Sequence, residues 1–75
     1  MVKNGNGLDF NNYELNSIYY ISNLQSQTDN APVKSPYACM YIVIGTSSSP
    51  YHLLIGIDGP LMYGKYANTE WVELM

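Results

Sequence analysis

The run Ala38-Cys39-Met40-Tyr41-Ile42-Val43-Ile44 constrains this chain more than any other stretch of it. A strand with one wet face alternates polar and apolar residues, but this run is apolar throughout, so both faces of the strand it forms must be covered. Pro36 and Pro50 fence it, and an uncharged β-prone window fenced in this way is expected at the centre of a sheet, away from its edges.

A chain of 75 residues has little with which to cover two faces. It makes one small domain, and domains of this size bury only about 60% of the surface their unfolded chains expose. The usual staples are missing. Cys39 is the one cysteine and forms no internal disulfide, and with the one histidine it does not complete a four-ligand zinc site. Self-association is the remaining common device, and the surplus apolar face of the 38–44 strand asks for it independently. Charge removes other partners from consideration. Three lysines, no arginine and a net charge of −3 do not make the clustered cationic surface that nucleic acid requires. The 38–44 run is also far too short to cross a bilayer, so no membrane insertion is expected. The aromatic content of 13% with so small a net charge points to a folded chain.

Turn chemistry and β-prone runs place the remaining elements around that strand. Residues 1–7, polar and rich in Gly and Asn, read as a flexible lead-in, and residues 8–75 as the single domain. Leu8 to Leu15 mixes apolar and polar residues without a period and is expected as an irregular wrap. A first strand is expected near Ser17 to Ser22, followed by a long loop from Asn23 to Tyr37. The runs 38–44 and 51–57 form a hairpin across the Gly45 to Pro50 turn; 61–66 adds a third strand, and 70–74 closes the chain. No stretch sustains a 3.6-residue period over three turns. The expected fold is mainly β: a small antiparallel meander of about four to five strands, with a long loop and little helix, packed in a homotrimer.

Candidate chemistry is sparse. Cys39, His52 and Asp58 are the residues from which a nucleophilic site would be drawn, but the cysteine lies inside an apolar strand and the aspartate opens a Gly-Pro turn. Glu70 and Glu73 flank Trp71 near the end of a chain with no room for a catalytic cleft. No catalytic residue, metal site or cofactor is therefore expected. Tyrosine is the residue in excess, with eight copies, and its apolar body and polar tip suit interfaces and sugar-binding surfaces. Loops on a rigid sheet are the usual place for recognition, which makes Tyr37, Tyr51, His52 and Asn30 the candidate ligand-binding residues. In this reading His52 stands at the rim of the sheet. Trp71 is expected as a packing anchor, on the face opposite Val72 and Leu74.

The stretch from Asp9 to Ser22 resembles the opening of the pyocin knob domain of phage tail fibres, where an Asp-Leu-Asn start leads through a turn into an aromatic-Tyr-Tyr-Val strand. Asn30-Ala31-Pro32 resembles the Asn-Ala-Pro segment that follows in that family, and Trp71-Val72-Glu73-Leu74 its closing Trp-Arg-Glu-Leu. The chain departs from the pattern at Ser17, Asn68 and Val72, where the family usually has Gly, Trp and Arg. The resemblance implies a small β-rich module on a homotrimeric tail fibre or baseplate, made in the bacterial cytoplasm without a signal peptide and carried on the virion tail. Its implied role is to bind cell-surface glycan on the host without catalysis. The alternative is an architectural clamp or spacer with no ligand of its own.

Overall fold

The computed structural model describes residues 1–75 and places six strands in one sheet, in the order of the chain. These are β1 (Val2–Asn4), β2 (Ser17–Ile21), β3 (Cys39–Gly45), β4 (Pro50–Gly56), β5 (Met62–Tyr66) and β6 (Val72–Glu73). From β2 to β6 the pairing is antiparallel, a meander, whereas β1 lies parallel to β2. The two-sided apolar run is β3, third of the six strands and flanked on both sides, as its composition requires. No helix is long and apolar enough to cross a membrane.

Residues 1–7 differ from the expected flexible lead-in. Val2–Asn4 is a paired edge strand, and the chain just beyond it is docked by Gly5 N donating to Tyr20 O at 2.7 Å. Gly5 is buried, and a Cβ there would meet Ile21 Cγ1 at 2.6 Å, so its glycine lets the backbone lie directly against β2. The sheet accordingly has six strands, where the sequence suggests four or five. The long 23–37 loop also packs down. Asn23 caps a single helical turn, α1 (Leu24–Gln27), by accepting from Ser26 N, and Leu24 at its start is buried.

The wrap and this loop lie on the same face of the sheet. Phe10 and Leu24 join Tyr19, Ile21, Cys39, Tyr41, Val43 and Leu54 in the core, with Leu8, Tyr13, Leu15, Val33 and Tyr37 packed against it. Phe10 stacks on Tyr41 with ring centroids 4.5 Å apart. Lys3 of β1 reaches Glu14 of the wrap at 2.7 Å and closes that edge. Two residues on, Asn16 takes the left-handed conformation (φ 57°), and its side chain bonds both backbone groups of Gly45, accepting from N at 3.0 Å and donating to O at 3.3 Å. Gly45 itself sits at φ 123°, which an L side chain rarely adopts.

Candidate functional site

Directly paired residues on neighbouring strands share a face, so the registers define the second face of the sheet row by row. The middle row crosses all six strands: Val2, Ile18, Ile42, Leu53, Gly64 and Val72. The row below it runs Asn4, Tyr20, Met40, Ile55 and Met62, and the row above runs Ile44, Tyr51 and Tyr66. Leu74, just past β6, packs over Gly64 on the same side, where a Cβ would meet it at 3.0 Å. None of these residues is charged. Seven of the chain's ten exposed large hydrophobic residues belong here: Val2, Tyr20, Ile44, Tyr51, Tyr66, Val72 and Leu74.

One shallow, open depression of about 430 Å³ marks this face. It lies where Gly64 presents no side chain, between Tyr51, Leu53, Tyr66, Val72 and Leu74, with Thr69 and Glu70 also lining it. Tyr51 and Tyr66 pair across the strands with centroids 4.9 Å apart. The Thr69 hydroxyl is engaged with the backbone of Tyr66, holding the β5–β6 turn, so the polar group nearest the two rings is already used.

The four candidate residues do not converge on one site. Tyr51 is 55% exposed on the outer face, whereas His52, its neighbour along the strand, points to the core side and is 4% exposed. The rim placement of His52 is thus corrected: Leu54, Val43 and Tyr41 share its face, and alternation carries it inward with them. Tyr37 lies against Gly59 beside the far end of β3, about 20 Å from Tyr51 by the rise of the strand between them. Asn30, at φ 60°, donates to Asp9 Oδ1 at 2.8 Å and ties the loop to the wrap. That bond, with the Asn11 amide, holds the Asp9 carboxyl below its usual range.

His52 forms a buried cluster of its own. Its Nδ1 lies 2.7 Å from the Tyr41 hydroxyl, and its Nε2 is buried without a partner. Tyr13 meets the imidazole edge to face at 4.8 Å and Trp71 at 5.8 Å. Burial first, and the Lys65 charge second, hold the imidazole below its usual pKa and so keep it neutral. Burial likewise pushes the Tyr41 phenol up.

The Cys39 thiol is pushed up to about 11, by burial first and the Asp58 charge second, and it faces the Tyr37 carbonyl at 3.6 Å. Cys39 pairs with Gly56 and His52 with Val43, four residues along, which puts them about 13 Å apart. Asp58 accepts from Ala38 N at 2.8 Å, a turn-holding contact. These three residues therefore bring no base to a thiolate. Trp71 is partly buried on the core side against Phe10, Tyr41 and His52, the packing role its position implies.

No family model matches the chain, and no curated protein or solved structure matches it.

The outer face escapes a reading that looks for chemistry in loops. Its signal lies in the register: once 38–44 and 51–57 are paired, Ile42 opposes Leu53, and alternation on the third strand sets Tyr66 beside Tyr51.

Proposed function

We propose that this chain is a non-catalytic assembly module, which works by burying the largely apolar outer face of its sheet against another protein layer. The observation that carries this reading is that seven half-exposed large hydrophobic residues fall on one face of one sheet, with no charge among them. Soluble monomers rarely leave contiguous apolar patches beyond a few hundred Å², and larger ones mark interaction sites. The setting suggested by the likeness of Asp9 to Ser22 and of the closing Trp71-Val72-Glu73-Leu74 to pyocin knob domains is the tail fibre or baseplate of a phage, where the module acts as a homo-oligomeric clamp.

A second reading, recognition of host cell-surface glycan, is favoured by the exposed Tyr51–Tyr66 pair beside a concave spot that Glu70 also lines. Sugars are held by flat rings with polar groups at their edge. The apolar character of the spot ranks this reading second. The two are separated by presenting the purified chain, Ile55→Asp and Tyr51→Ala to a glycan array and following each by sedimentation. Assembly through the face gives a complex that Ile55→Asp abolishes and a silent array. A monomer whose array signal disappears with Tyr51→Ala reverses the ranking.

A further inference from the structure

We infer that the layer covering the outer face is a second copy of this chain, laid face to face across a two-fold axis that runs along the strands between β3 and β4. This rests on the assembly reading and names its partner. The first argument is area. Seven side chains on the face remain between 45% and 58% exposed. At about 190 Å² for a large side chain they leave about 700 Å² accessible, before the half-buried residues between them are added. A stable interface takes about 800 Å² from each partner. Two copies therefore cover each other with an interface of ordinary size and leave no large apolar patch in water.

The second argument is register. A two-fold along the strands exchanges β1 with β6, β2 with β5 and β3 with β4, and keeps every residue at its own height. The middle row then falls on itself. Val2 meets Val72 of the second copy, Ile42 meets Leu53, and Ile18 meets the depression over Gly64. Bulk meets hollow, and every opposed pair is uncharged. A two-fold across the strands instead sets Gly64 over Gly64, two hollows face to face, and voids of that kind are rare in packed interiors. Sheets packed face to face lie about 10 Å apart with strands nearly aligned, which the axis along the strands preserves.

The test is light scattering at about 10 to 100 µM, a range that standard-size interfaces populate. The wild-type chain is expected at twice its 8.4 kDa mass. Ile42→Lys and Leu53→Glu each place two unpaired charges in the dry layer, one from each copy, which weakens pairing by about 100-fold or more and leaves monomers. Both residues point outward and are only partly buried, so the variants keep the fold, checked by far-UV circular dichroism and by the fluorescence of Trp71. Mixed together, the two variants pair with one another, because the axis along the strands sets position 42 of one copy against position 53 of the other, and the two introduced charges are opposite.

A monomeric wild type overturns the inference. If that monomer is silent on glycans, the assembly reading stands with a different partner; if it binds them through Tyr51, both fall. A mass of three chains replaces the two-layer packing with a three-fold one. A wild-type dimer that both single variants leave intact moves the interface off this face, and variants that fail to pair when mixed refute the axis.

Discussion

Trp71→Ala tests how the core face is sealed. The ring packs with centroids 6.1 Å from Phe10 and Tyr41, 5.8 Å from His52, and the Lys65 ammonium 5.9 Å above it. The ring is buried over at least about two thirds of its area, about 150 Å², which at about 25 cal/mol per Å² is about 4 kcal/mol, and the edge-to-face contacts add about 0.5 kcal/mol. That lies within the range of about 3 to 5 kcal/mol for truncating a buried tryptophan. A 75-residue domain holds about 4 to 11 kcal/mol in all, so the variant loses a large share of its stability and melts far earlier. Urea unfolding followed by circular dichroism measures this, since the chain has no other tryptophan to report by fluorescence. The same truncation admits water to the imidazole, so the His52 pKa, read by NMR, rises toward its ordinary value. A stability change under about 0.5 kcal/mol with His52 titrating as before would refute the reasoning, for then the ring neither packs nor shields.

Mild acid should weaken the fold through His52. The His52 pKa is depressed in the folded state, so the neutral imidazole's contribution is complete above the unfolded value of about 6.5 and is lost as pH falls from there toward the folded one. Thermal melts at pH 7 and pH 5 should show the lower midpoint at pH 5, and His52→Gln, which can still accept from Tyr41, should flatten that difference. Cys39, fully buried with its thiol pushed up to about 11, should react with iodoacetamide only as fast as the domain opens, so its labelling rate should follow urea concentration. Asn16→Ala removes two hydrogen bonds to Gly45 and replaces a residue that tolerates positive φ, and a loss of about 1 to 2 kcal/mol is expected by urea titration.

The central hairpin was legible because two apolar runs joined by Gly45 to Pro50 leave no other pairing, and the observed strands fall within one residue of the runs. β1 was hidden because Val2-Lys3-Asn4 followed by Gly5-Asn6-Gly7 has the composition of a linker. Its pairing is made by the backbone, and the close approach depends on Gly5 lacking a side chain, a property that also marks flexible chain. One turn of helix at Leu24–Gln27 is too short to show a period. The inward placement of His52 is legible in principle, since Leu54 two residues on is an obvious core residue, whereas its polar character suggests the rim. Its placement becomes intelligible from Tyr41 on the neighbouring strand, a contact that only the β3–β4 register reveals.

Connection lengths explain why one face is covered and the other is bare. β1 and β2 are parallel neighbours, so residues 5–16 must return the length of the sheet before β2 begins, and a crossover of that kind lies over one face. The connection from β2 to β3, residues 22–38, packs Leu24, Val33 and Tyr37 on that same face, where Phe10 already supplies an apolar surface. From β3 onward the chain turns back in four or five residues each time, enough to close a hairpin and too few to reach across a sheet. The meander thus uses all of its spare chain on the side of Phe10 and Tyr41. A strand that is apolar on both faces is then left with a second face that these connections do not cover, and this is the face that the proposed assembly would bury.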